Sequence, residues 1–134
     1  GSAELHTTIA FGDNGEQTNT DRNGSFWGTV IMPMYWITPN KHKFVTRIQY
    51  QKSSQKEGIR LNSRYARLAE KRDEQLEINA GRGDSHQSYY IGYNYYINEH
   101  NLKIVSGIEW EKLSSEGITM YRGCTIGAGI RLLF

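Results

Sequence analysis

Apolar and polar residues alternate with a period of two over six stretches of the chain, at 3–12, 25–38, 42–53, 86–98, 101–113 and 118–134. Successive side chains on a strand point to opposite faces, so each stretch predicts a strand with one apolar wall and one mixed, charge-bearing wall. In 101–112, Leu102, Ile104, Ser106, Ile108 and Trp110 oppose Lys103, Val105, Gly107, Glu109 and Glu111. In 43–51, Phe44, Thr46, Ile48 and Tyr50 oppose Lys43, Arg47, Gln49 and Gln51. The last stretch sets Met120, Ile126, Ala128, Ile130, Leu132 and Phe134 against Thr125, Gly127, Gly129, Arg131 and, less typically, Leu133. Arg122 falls on the apolar wall, where a cation is tolerable only near an interface with water. The stretch 25–38 is apolar on both walls, and Pro33, which has no backbone donor, predicts a bulge or bend there.

The connections differ in length. Thr38-Pro39-Asn40-Lys41 and Asn98-Glu99-His100-Asn101 are short and built from turn formers, 13–24 and 54–85 are long and polar, and the one around Ser114-Ser115-Glu116-Gly117 is of modest length. Alternating short and long connections are expected of an antiparallel up-and-down β-barrel of the outer-membrane type, with about six strands present here. Within 54–85, residues 58–68 read either as a strand or as a short helix, with Leu61, Tyr65 and Leu68 at spacings of four and three. A seventh strand would put the turn 38–41 on the side of the long connections, so an extended loop is the self-consistent reading. Periodicity does not decide which wall lies inside. A soluble barrel or sandwich encloses the apolar wall and binds an apolar ligand or a protein partner; a membrane barrel turns that wall to lipid.

Composition narrows this further. The 134 residues fit one domain over 3–134, preceded by Gly1-Ser2, which reads as an expression-tag scar. A mean hydropathy of −0.66 and the lack of any apolar run near 18 residues exclude a membrane-spanning helix but not spanning strands. Nine Tyr, three Trp and fourteen Gly against two Pro suit strands and a membrane–water interface. A net charge of +2 without a basic run gives no footprint for nucleic acid. Cys124, the one cysteine, reads as a small packed hydrophobe. His6, His42, His86 and His100 lack metal-ligand spacing, so no metal or cofactor is expected. Glu109 and Glu111 share a face without a nucleophile, so an enzyme is not expected either. Arg82-Gly83-Asp84 matches an adhesion tripeptide, but Gly-Asp is ordinary turn chemistry.

Several stretches resemble the phosphate-selective porin O/P family. They are Gly24-Ser25-Phe26-Trp27-Gly28 leading to Met32-Pro33-Met34-Tyr35-Trp36, then Arg47-Ile48-Gln49-Tyr50-Gln51 and Gly58-Ile59-Arg60-Leu61-Asn62-Ser63-Arg64-Tyr65. Tyr90-Ile91-Gly92-Tyr93-Asn94-Tyr95-Tyr96, with Leu102-Lys103 after the turn, completes the series. The resemblance implies the C-terminal part of a longer, many-stranded trimeric porin of the bacterial outer membrane. Such a protein passes small solutes, among them anions such as phosphate, and needs the lipid bilayer and the barrel-assembly machinery as partners. Six strands are too few for that wide pore. Lumen charge would then carry selectivity. Lys43, Arg47, Lys103 and Arg131 lie on predicted lumen faces, with Arg60, Arg64 and Arg67 in the long loop, as candidate pore-lining or anion-binding residues. Glu109 and Glu111 partly offset them, and no narrow lysine ladder is evident. Phe134, an aromatic last residue on an alternating strand, resembles the signal that outer-membrane assembly recognises.

Overall fold

Every alternating stretch forms an antiparallel strand in the computed structural model, which describes residues 1–16, 18, 20–61, 81–98 and 102–132. The strands are β1 (Ser2–Asp13), β2 (Ser25–Thr38), β3 (His42–Ser53), β4 (Ile59–Arg60), β5 (Arg82–Gly83), β6 (Ser85–Asn98), β7 (Leu102–Ser115) and β8 (Ile118–Leu132). Six of them make one sheet in the order β1-β2-β3-β6-β7-β8, and β4 pairs with β5 in a separate two-stranded sheet. The large sheet is an up-and-down meander whose two outer strands, β1 and β8, each have one unpaired edge, so it is not closed.

Three local features depart from the sequence reading. Pro33 causes no register shift: it stays opposite Leu5, and β2 and β3 merely skip two ladder positions before resuming the same register at Met34↔Val45. The missing donor interrupts the ladder without displacing it, and the Thr46 hydroxyl donates to the Pro33 carbonyl at 3.1 Å. The bulges lie at strand ends instead, between Trp36 and Thr38, between Tyr96 and Asn98, and between Leu113 and Ser114. Secondly, the β7–β8 connection is tight. Glu116 and Gly117 take φ of 50° and 81° between the partners Ser115 and Ile118, as a two-residue hairpin turn of the primed type requires. Loop length therefore does not alternate strictly. Thirdly, the stretch 54–85 is not wholly loop, because it carries β4 and β5; the alternative helix with Tyr65 and Leu68 falls outside the described residues.

The β4–β5 pair decides what the sheet covers. Ile59 and Leu61 pack on Leu113, which has 0 % of its surface exposed, with Met120 and Tyr121 beside them. Leu113 shares a wall with His86 and Tyr121, its cross-strand partners, and that is the charged wall of β6, β7 and β8. The segment is tied there by backbone bonds, Ser53 N to Asp84 O at 2.7 Å and Asp84 N to Ser114 O at 2.9 Å, and by the Arg22–Glu57 pair at 3.3 Å. Lys56 pairs with Asp21 at 3.2 Å, and this carboxylate holds the ammonium above its usual pKa. Leu113→Ala is expected to cost about 2–5 kcal/mol, the range for emptying a buried leucine site. It should also release the segment, seen as faster proteolysis around Lys56 with the strands still intact.

The apolar wall is bare. Phe11, Ile31, Ile48, Ile91, Ile126 and Ile130 are all exposed on it, Ile126 to 76 %. Its chemistry is graded along the strands. Trp27, Tyr50, Tyr89 and Trp110 stand toward the end that carries the longer connections, and Tyr35, Phe44, Tyr93 and Tyr95 toward the end with the turn at 38–41. Ile31 and Ile48 continue the row of Tyr89 and Trp110, and the next row, Thr46, Ile91, Ile108 and Ile126, is free of aromatics. Lys112 and Arg122 are cross-strand partners beyond Trp110, so the arginine on the apolar wall sits outside this band. Cys124, opposite Trp110, is exposed rather than packed, since nothing covers this wall.

Candidate functional site

The opposite wall is a grid read from the register. One row runs Gln51, His86, Leu113 and Tyr121; the next runs Gln49, Ser88, Glu111 and Gly123; the third runs Arg47, Tyr90, Glu109 and Thr125. The period-2 pattern places these side chains together because antiparallel partners share a face. Arg47 on β3 and Glu109 on β7 reach toward each other across β6 and form an ion pair. The guanidinium also lies 5.4 Å from the centroid of the Tyr90 ring, which sits between them in the register. The pair is only half-buried, so it is worth about 0–1 kcal/mol and serves chiefly to orient the arginine.

Next to this pair is a hollow of about 340 Å³, reached by Arg47, Gln49, Arg60, His86, Ser88 and Glu111. Its floor is deeply buried: Ser88 is 1 % and His86 6 % exposed. His86 Nε2 stands 3.5 Å from Glu111 Oε1 without hydrogen-bond alignment, and the Ser88 hydroxyl and Arg47 Nε have no hydrogen-bond partner among the described residues. A second hollow of about 320 Å³, lined by Tyr90, Gly107, Thr125 and Gly129, shares Glu109 with the first.

The candidates named from the sequence divide accordingly. Lys43 and Arg47 lie on the charged wall, but each is matched by a carboxylate, Lys43 by Glu4 at 2.8 Å. Glu4 also accepts from Trp36 Nε1 at 2.7 Å, and the Lys43 ammonium lies 4.7 Å from the Trp36 ring centroid. Lys103 and Arg131 are cross-strand partners near the end with the turn at 38–41, and Lys103 lies 5.3 Å over the Tyr96 ring. Among the described residues no carboxylate pairs with either. Arg60 is exposed on β4 and borders the polar hollow. Arg64, Arg67, Phe134 and His100 lie outside the described residues. The tripeptide Arg82-Gly83-Asp84 is no exposed loop: two of its residues form β5, Arg82 Nη1 donates to the Glu57 carbonyl at 3.2 Å, and Asp84 pairs with Lys52 at 3.0 Å.

Compared with protein-family models, with curated proteins and with solved structures, the chain finds no match in any of the three. The functional reading therefore rests on the wall chemistry and on the sequence resemblance to the porin O/P family. Sequence reasoning had not singled out Ser88 and Gln49, and had set His86 aside as scattered. The usable signal was parity: His86, Ser88 and Tyr90 fall on one face of β6, opposite the exposed Tyr89 and Ile91.

Proposed function

We propose that this chain is part of an outer-membrane β-barrel of the porin type, as its resemblance to the porin O/P family suggests, with the charged wall lining a path for small polar solutes. The observation that carries this reading is the inverted sense of the sheet. A folded-back segment covers the charged wall at its Leu113 and His86 end, while the apolar wall stays bare, with aromatic residues toward both ends and aliphatics among them. Water gives no reason to bare that wall, because contiguous apolar patches beyond a few hundred Å² mark interaction surfaces. A bilayer supplies one. Trp27 and Tyr35, eight positions apart, span about 26 Å along β2, or about 20 Å of membrane normal for strands tilted by about 40°. That approaches the apolar band of about 25 Å that outer-membrane barrels present, bordered by aromatic girdles. Closure then comes from further strands of the parent protein or from other copies pairing at β1 and β8, which removes the open edges. With Lys43 and Arg47 each matched by a carboxylate, anion preference rests on Lys103, Arg131 and Arg60 and is weak.

The three tryptophans report the sense of the sheet. Trp27 and Trp110 stand on the bare wall and Trp36, 8 % exposed, on the covered one. In single-tryptophan variants folded into vesicles with brominated acyl chains, Trp27 and Trp110 should be quenched and Trp36 spared. Quenching of none of them, with a monodisperse chain in plain buffer, returns the molecule to the soluble class.

A further inference from the structure

We infer that the hollow floored by His86 and Ser88 is a binding site for a neutral saccharide, which it holds through paired donors and acceptors. The inference rests on reading the charged wall as the surface solutes contact, and it names the solute class. A polar occupant is called for first of all. His86 and Ser88 are at least nine-tenths buried, open into the hollow, and have polar atoms without a hydrogen-bond partner among the described residues, as does Arg47 at Nε. Leaving such a group unpaired costs about 1–3 kcal/mol, which a hydrogen-bonding ligand recovers.

Charge decides the class. Arg47 and Arg60 are opposed by Glu109 and Glu111, so the rim carries two fixed charges of each sign. An oxyanion drawn to the arginines meets both carboxylates, and an organic cation drawn to the carboxylates meets both guanidinia. A hydroxyl both donates and accepts, and so does the wall. The carboxylates accept only, the arginines donate only, and Gln49, Gln51 and Ser88 do both. Adjacent sugar hydroxyls satisfy such an alternating set without net charge. The hollow is within the range of about 300–1,000 Å³ that small-molecule sites occupy. Its neighbour across Glu109 is bordered by Thr125 and the small residues Gly127 and Gly129, which leave room for a second ring. A disaccharide spanning both is the natural occupant.

Maltose is the probe, titrated into the whole chain folded in detergent micelles while NMR follows the His86 imidazole. Maltose should shift the His86 resonances saturably, and inorganic phosphate at equal concentration should not. Glu111→Gln, which keeps shape and loses an acceptor's charge, and Gln49→Ala should each weaken maltose by about tenfold with the β-sheet circular dichroism unchanged. Saturation by phosphate in place of maltose makes this an oxyanion site and overturns the inference. So does a His86 signal that neither probe moves, or affinity that both substitutions leave intact. The brominated-lipid result separates the two readings. Quenching of Trp27 without maltose binding removes the saccharide alone, whereas maltose binding without quenching leaves a sugar site in a soluble β-protein.

Discussion

Ile91→Lys is expected to weaken insertion of the chain into vesicles by about 2–4 kcal/mol. Ile91 is exposed in the middle of the bare wall, with Thr46 opposite it on β3 and Ile108 on β7. A lysine there places an ammonium at mid-depth of the apolar band, at a cost of about 2–4 kcal/mol against about 0–1 near the interfaces. Total stability of a domain is about 5–15 kcal/mol, so one such substitution removes a large part of it. The effect should be graded by depth. Tyr95→Lys, near the end with the turn at 38–41, should lose little, because lysine's flexible stem carries its charge to the headgroups. Gln49→Lys on the charged wall should insert normally. Urea titration of vesicle-bound chain, read by the mobility shift of folded barrels on unheated gels, orders the three. If the bare wall faced water, Ile91→Lys would be neutral or would improve solubility, and the gradient would vanish.

Gly107→Ala is expected to cost about 1–3 kcal/mol, as overpacking does when a side chain must be driven from its place. The hydroxyl end of the Tyr90 ring lies over the backbone of Gly92 and Gly107, and a Cβ at either position would come within 2.6 Å of it. Glycine is needed there for space, since neither position has a positive φ. Displacing the ring also disturbs the guanidinium of Arg47, which lies over it and pairs with Glu109. Gly127→Ala is the control: it belongs to the same cross-strand row, opposite Gly107, but nothing lies within 4 Å of its added Cβ. It should leave the urea midpoint unmoved. In a Tyr90→Ala background the penalty of Gly107→Ala should disappear, and the coupling in that double-mutant cycle measures the contact directly.

The same glycines mark how far local pattern reached. Alternation located all six long strands within one or two residues at each described end, because side-chain parity along a strand is a local property. It sorted Lys43, Arg47, Lys103 and Arg131 onto one wall for the same reason. Local pattern missed the tight turn at Glu116-Gly117, where a positive φ at a glutamate is unusual enough to go unread. The bulge expected at Pro33 does not form, because the lost donor interrupts the β2–β3 ladder without shifting its register.

Other properties depended on contacts far apart in sequence. The Arg47–Glu109 pair joins positions 62 apart, and it exists because two successive registers, β3 with β6 and β6 with β7, place both residues beside Tyr90. Gathering His86 and Ser88 with Glu111 into one hollow needed the second of these registers. Above all, alternation is symmetric between its two walls, so the chain by itself determined a sheet with one greasy side and one charged side. Only the tertiary structure decided which side is covered. The cause is the packing of Ile59 and Leu61 onto Leu113, a contact between residues some fifty positions apart, and burying that leucine seats β4 and β5 over one end of the charged wall while the isoleucines stay bare.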